Sequence, residues 1–163
     1  MQIRNQALLR STAYLDGNWI AADSGARFPV FDPATGAALG EVPDCGTAET
    51  RRTIAAAEAA LPAWRGLTAK ARAQVLQRWF AAINANADDL AQMITAECGK
   101  PLAEAKGEVA YGASFVEWFA EEAKRVNGET LPQFDNSKRI LVTRQAIGVC
   151  AAITPWNFPL AMI

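Results

Sequence analysis

A regular spacing of apolar and small residues in the second half of the chain restricts its fold more than any other feature. Successive members are separated by three and four residues in strict alternation, which places them on one side of an α-helix. They are Leu102, Ala105, Val109, Gly112, Val116, Phe119, Ala123 and Val126. Because none of the eight is charged or strongly polar, the spacing predicts one continuous helix from Pro101 to about Val126 with all eight on its buried face. Other helices or a sheet must then cover that face.

Three further helices are predicted in the middle of the chain. Their N-caps are expected to be Thr47, Thr68 and Asn86. Side chains of these types accept hydrogen bonds from the N–H groups of a first helical turn. The first helix is expected to end at about Leu61, because Pro62 cannot donate a helical hydrogen bond. The third is expected to end at Gly99, since glycine suits a left-handed C-cap. Alanine supplies 34 of the 163 residues, and its high helix propensity agrees with a largely helical middle part.

The first 46 residues predict short strands joined by turns. Asp16 and Gly17 stand between two short apolar segments, and Asp-Gly in that position favours a tight hairpin turn. Strands are also expected at residues 28–31 and 39–42, on either side of a turn that contains proline and glycine. This part is therefore predicted to form a hairpin-rich arm.

The pattern changes again after the long helix. Residues 139–144 are rich in β-branched side chains and bounded by arginines, which is typical of an exposed or edge strand. Residues 148–153 are apolar throughout, which predicts a strand buried on both faces with Cys150 as a small buried hydrophobe. The loop 154–159 follows, and residues 160–163 are expected to start a helix.

Composition excludes several classes of function. The 16 basic and 17 acidic residues give a net charge of −1, which argues against nucleic-acid binding. There is no histidine, so a Ser-His-Asp triad, a Cys-His dyad and histidine ligation of a metal are excluded within the chain. Three widely spaced cysteines predict neither a disulfide framework nor a zinc site, and they fit a reducing, cytoplasmic compartment. No secretory signal is present, and polar residues and prolines interrupt the uncharged stretch 145–163, so no membrane span is predicted.

Two candidate site patterns are weak. Gly99 and Lys100 do not complete a phosphate-binding loop, because Pro101 stands where the motif needs Ser or Thr, and there is no G-x-G-x-x-G. Glu104 and Glu108 share one helix face, but nothing around them indicates acid–base chemistry, so we expect both to be solvated.

The loop 154–159 is the strongest candidate site. Ligands of open α/β sheets bind where strands end and loops to the next helix begin. Pro155 and Pro159 restrict this loop, and the amide of Asn157 can donate hydrogen bonds to a developing oxyanion without titrating. Composition alone leaves open a purely structural turn in which Trp156 packs into the core.

Residues 153–159 (ITPWNFP) resemble the P-W-N-F-P segment of the NAD(P)-dependent aldehyde dehydrogenase superfamily. Residues 97–102 (ECGKPL) and 60–65 (ALPAWR) agree with the same family in order and separation. The resemblance covers essentially the whole chain after residue 12. Residues 101–125 most resemble bacterial succinate-semialdehyde dehydrogenases.

The resemblance implies the N-terminal part of the α/β aldehyde dehydrogenase fold. The expected segments are a β-hairpin arm at 1–46, helices of the cofactor-binding domain at 47–128, a strand segment near the oligomerisation region at 129–146, and the first strand and loop of a Rossmann-like parallel sheet at 147–163. It also implies oxidation of an aldehyde, with succinate semialdehyde expected, to the acid with NAD or NADP. The enzyme is expected to be a cytoplasmic homo-oligomer, dimer or tetramer, with no nucleic-acid or membrane partner.

The resemblance implies a role for each residue of the loop. Asn157 donates to the oxyanion of the substrate, and Phe158 faces the substrate channel. The cofactor is lined by Ile153, Thr154, Pro155, Trp156 and Asn157. The catalytic cysteine and the general-base glutamate are expected beyond Ile163, and no metal is expected.

Three interpretations of the chain stay open on the sequence. Because the chain stops at the onset of an element with no cap, it is expected to be part of a longer enzyme and to be inactive alone. The alternatives are a stand-alone helical binding or dimerisation module, and an aldehyde dehydrogenase of another substrate class.

Overall fold

Four helices form the body of the computed structural model, which describes residues 1–163. They are α1 (Thr47–Gly66), α2 (Ala69–Ala85), α3 (Ala87–Cys98) and α4 (Leu102–Glu122). Helix α4 packs against both α2 and α3. The core at this junction contains Ile83 of α2, Ala91 and Ile94 of α3, and Ala105, Val109, Ala113 and Val116 of α4. A bilayer-spanning stretch of apolar residues is absent from all four helices.

Helix α4 is continuous, as predicted, but its buried face differs from the predicted stripe at both ends. Leu102 and Phe119 are exposed, and Val126 lies beyond the helix. The prediction is wrong for these three residues because the core that α4 forms with α2 and α3 extends only from Ala105 to Val116. Ala123 is half-buried and follows the last helical residue as the C-cap. At the C-terminal end Ala120 is buried in place of Phe119.

Helix α1 begins and ends differently from the prediction. Its N-cap is Gly46, and Thr47 is the first helical residue. The helix continues through Pro62 to Gly66 instead of ending at about Leu61. A proline adopts helical φ and removes one hydrogen bond, which the alanine-rich residues around it tolerate.

The other helix boundaries agree with the sequence. Thr68 caps α2, where its hydroxyl accepts from the N–H of Ala71 over 3.2 Å. Asn86 occupies the N-cap position of α3, although its side chain does not cap the helix and donates instead to the carbonyl of Ala82. Gly99 ends α3 in the left-handed conformation with φ of 74°.

Three two-stranded antiparallel ladders flank the helices. Strands β1 (Ala13–Leu15) and β2 (Asn18–Ile20) form the predicted hairpin, with φ of 48° at Asp16 and 79° at Gly17. Strands β3 (Arg27–Phe31) and β4 (Ala38–Pro43) form the second predicted hairpin. Strand β6 (Ile140–Val142) is exposed, as predicted for 139–144, and pairs with β5 (Glu129–Leu131).

Residues 148–153 do not form the predicted buried strand. They are without strand pairing, and Ile153 is fully exposed. Cys150 is exposed rather than buried. A strand obtains its hydrogen bonds from neighbouring strands, and here residues 149–152 border helix α1 instead of another strand. Residues 160–162 form part of a turn, in place of the predicted start of a helix at 160–163.

The last residues of the chain turn back onto α4 beside Gly112. The N–H of Met162 donates to the carbonyl of Phe158 over 3.4 Å, and Ala161 is buried. A Cβ at position 112 would lie 3.0 Å from the Cα of Ala161 and 2.5 Å from Cδ2 of Leu160. Glycine at this position therefore permits the close approach of the turn to the helix.

Glu49 joins the hairpin arm to α1. Its buried side chain accepts from the N–H of Asp23 over 2.6 Å and from that of Gly46 over 3.0 Å. Beside it, Arg52 forms a two-bond ion pair with Asp23. The hydrogen bond from the N–H of Asp23 is the main cause that lowers the pKa of Glu49 below its ordinary value of 4.5.

We predict that Glu49→Gln lowers the urea midpoint of unfolding at pH 7. A carboxyl whose pKa is lower in the folded state stabilises above its unfolded pKa, and this contribution is lost as pH falls through the folded pKa. The difference between wild type and variant should therefore shrink below about pH 4.5. Circular dichroism during urea unfolding at several pH values measures this. Glu58→Gln, on the exposed side of the same helix, is the control. A difference that is constant with pH would contradict the role of the carboxylate.

We predict that Gly112→Ala destabilises the chain by about 1–3 kcal/mol, because the added methyl forces the turn at Ala161 away from α4. Gly107→Ala is the matched control on the same helix, since a Cβ there meets nothing within 4 Å. That control should stabilise by about 0.5–1 kcal/mol through helix propensity. Thermal unfolding of both variants measures the pair, and equal stabilisation by both would show that the turn does not rest on Gly112.

Candidate functional site

The predicted site loop lies on the surface, next to the connection between α3 and α4. Thr154 is half-buried, whereas Pro155 and Asn157 are exposed. Trp156 exposes 80% of its surface, so the alternative in which it packs into the core is wrong. Trp156 therefore does not anchor the loop.

Lys100 holds the middle of the loop. This residue follows the left-handed C-cap Gly99 and precedes α4, so the tight connection between the two helices directs its side chain to the loop. Its ammonium donates to the main-chain carbonyl of Asn157 over 2.7 Å. The same ammonium lies 4.1 Å from the centre of the Phe158 ring, a cation–π contact. One largely buried positive charge thus contacts the two loop residues to which the family resemblance gives roles toward the substrate.

Glu108 holds the end of the loop, and the expectation that it is solvated is wrong. Its side chain is 1% exposed and pairs with Lys100, whose side chain is 12% exposed. Its Oε1 accepts from the N–H of Leu160 over 2.9 Å and from that of Ala161 over 3.3 Å. An ammonium and two amides therefore satisfy the carboxylate, as burial of a charge requires. Glu104, by contrast, is exposed as expected.

A signal for Glu108 existed in the sequence. The residue lies three positions after Ala105 and four before Gly112, both on the buried face of α4. A glutamate between such neighbours is placed at the edge of the buried stripe. The sequence contained no comparable signal for Lys100. Its partner Asn157 lies 57 residues later in the chain, and its partner Glu108 lies in the helix that follows.

The arrangement leaves the side chain of Asn157 free. Its main-chain carbonyl is engaged by Lys100, whereas its side-chain amide makes no hydrogen bond within the chain. An amide on a main chain fixed in this way can donate an N–H to an oxygen that gains negative charge.

An open groove of about 600 Å³ runs between α3 and this loop. Its wall is largely apolar and includes Met93, Cys98, Trp156 and Pro159. Glu97 lies at its edge, where partial desolvation raises the pKa of the carboxyl group. No cluster of three or more acidic or thiol side chains that would suit a metal ion is found, and the three thiols are unpaired.

Two semialdehyde dehydrogenases are similar to this chain over its whole length. A glutarate-semialdehyde dehydrogenase of Pseudomonas putida is 60% identical over the whole of this chain, which covers 34% of that protein. An NADP(+) succinate-semialdehyde dehydrogenase of Escherichia coli is 54% identical, again over the whole chain and 34% of the relative. The chain thus spans about a third of the length of these relatives.

The fold agrees as well. The crystal structure of a succinate-semialdehyde dehydrogenase from Burkholderia pseudomallei matches with a TM-score of 0.95 and 62% identity, over 99% of this chain and 34% of that one. The predicted fold class, the N-terminal part of the aldehyde dehydrogenase fold, is therefore confirmed. Residues 19–163 match the aldehyde dehydrogenase family, and the chain belongs to that family.

Proposed function

We propose that this chain is the N-terminal part of an enzyme that oxidises an aldehyde to a carboxylic acid with NAD or NADP. The observation that carries the proposal is the free amide of Asn157 on a main chain fixed by Lys100. Relatives named for glutarate and succinate semialdehyde support a substrate with an aldehyde at one end and a carboxylate at the other. Succinate semialdehyde is the substrate we propose.

Asn157 is the proposed oxyanion donor. When a nucleophile attacks the aldehyde carbon, negative charge develops on the aldehyde oxygen, and a preorganised N–H stabilises that charge without reorienting. Phe158, the next residue, is proposed to border the substrate. Cys98 is not assigned as the nucleophile, because it is the last residue of α3, and the C-terminal end of a helix dipole disfavours a thiolate.

One wall of the cofactor site is proposed on the residues before and at Asn157. They are Ile153, Thr154, Pro155, Trp156 and Asn157. This segment suits contact with an aromatic ring of the cofactor. Its apolar side chains are exposed, and no negative charge occurs in residues 145–163. When bound, the cofactor supplies the acceptor for the electrons that leave the substrate. The chain's own contribution is to present this apolar wall and to hold the amide beside it.

We also propose that the enzyme is a cytoplasmic homo-oligomer. We propose in addition that the hairpin arm, the helices of the cofactor-binding domain, the segment near the oligomerisation region and the start of the Rossmann-like sheet occupy residues 1–46, 47–128, 129–146 and 147–163. The exposed ladder of β5 and β6 is the part proposed to lie near the subunit interface, since all six of its strand residues are exposed.

We predict that Asn157→Ala, in the full-length enzyme that contains this chain, lowers kcat with succinate semialdehyde by about 10²–10³-fold. Loss of one oxyanion donor has an effect of that size. Asn157→Asp should be at least as harmful, because a carboxylate repels the oxyanion. Steady-state kinetics with NAD and with NADP measures this.

The control for this prediction is Asn136→Ala, an exposed asparagine between β5 and β6, with circular dichroism to verify folding. It should leave kcat unchanged. Wild-type kcat in Asn157→Ala would reduce Asn157 to a turn former, and absence of aldehyde oxidation by the wild-type enzyme would overturn the proposed function itself.

A further inference from the structure

We propose that Lys100 and Glu108 are positioning residues for the oxyanion donor Asn157, an inference that rests on the proposed function. Neither side chain is offered as a catalytic residue. Their task is to hold the main chain from Asn157 to Ala161 against α4, so that the free amide of Asn157 is presented at a fixed position.

The contacts of Lys100 support this step most directly. Within the loop, its ammonium donates a hydrogen bond to the carbonyl of Asn157 itself, over 2.7 Å. Its second contact is the ring of Phe158. Removal of the ammonium therefore frees both residues to change orientation. It leaves the side-chain amide of Asn157, the proposed oxyanion donor, chemically unchanged.

Glu108 supports the same loop from its other end. Its two carboxylate oxygens have different partners. Oε2 pairs with Lys100, and Oε1 accepts from the N–H groups of Leu160 and Ala161. The three partners approach from the α3–α4 connection and from the loop. The carboxylate thus sets the position of Lys100 relative to the loop that Lys100 binds.

Stability alone does not require an ion pair at this place. Buried ion pairs are often no more stabilising than apolar residues of similar volume, because desolvation offsets the attraction. Apart from Glu108, the buried residues of α4 are all alanine, valine or glycine. A buried charged pair aimed at the backbone of the candidate site is more consistent with fixing a geometry than with adding stability.

The test compares Lys100→Met in the wild-type and in the Asn157→Ala background of the full-length enzyme. With Asn157 present we expect kcat to fall about 10–100-fold, since displacement of a reacting group by about 1 Å costs that much. KM for succinate semialdehyde should change less than about 3-fold. In the Asn157→Ala background the same substitution should lower kcat by no more than about 2-fold, because the group it positions is already absent.

Matched variants separate positioning from general structure. Lys106→Met removes an exposed ion pair between α4 and Asp88 of α3 and should leave kcat unchanged. Lys100→Arg keeps a cation near Glu108 and should recover part of the lost kcat. If Lys100→Met does not fold, Glu108→Gln replaces it in both backgrounds with the same expected pattern, because glutamine still accepts from Leu160 and Ala161.

The outcomes distinguish this inference from the proposed function. A loss that disappears in the Asn157→Ala background supports positioning. An equal loss in both backgrounds, or a loss accompanied by the same change in KM, overturns it while Asn157→Ala alone still supports the proposed function. If Asn157→Ala leaves kcat intact, the inference fails together with the proposed role of Asn157, whereas only absence of aldehyde oxidation by the wild-type enzyme overturns the proposed function.

Discussion

The carboxylate of Glu108 joins parts of the chain that are 52 and 53 residues apart, and the geometry of the candidate site depends on that connection. Burial leaves the side chain 1% exposed, so its charge must be met by partners within the chain. Lys100 and the N–H groups of Leu160 and Ala161 meet it. Any displacement of the turn from α4 leaves the buried charge of Glu108 without its partners. The position of the loop is therefore coupled to the packing of the helices.

Small residues on α4 make this connection sterically possible. Ala105 and Ala113 allow α4 to lie close to α2 and α3, and Gly112 admits the turn at Ala161. The buried face of α4 therefore packs against α2 and α3 and also receives the turn that follows the site loop. Because residues 148–153 have no strand partner, the loop depends on α4 rather than on a sheet for its position.

Several signals that act over a few residues predicted the structure correctly, although those at Thr47 and Pro62 were wrong. The hairpin at Asp16, the cap at Thr68 and the left-handed Gly99 depend on side chains or backbone angles within one turn, and the sequence contains that information. Features set by distant partners were not predictable in the same way. The burial of Glu108 depends on a loop about fifty residues later, and residues 148–153 carry the composition of a buried strand without a neighbour to pair with. The site loop itself was identified by its resemblance to the family, but the two charged residues that hold it were not.

Amide hydrogen exchange at Leu160 and Ala161 tests the central role of Glu108 most directly. Both amides donate to its carboxylate, so in the wild-type chain they should exchange on the order of 100-fold more slowly than the unpaired amide of Ile153. Glu108→Ala should abolish the difference while the amides within α2 keep their protection. Exchange at Leu160 and Ala161 as fast as at Ile153 in the wild-type chain would contradict the account, because the loop would then not be held by Glu108.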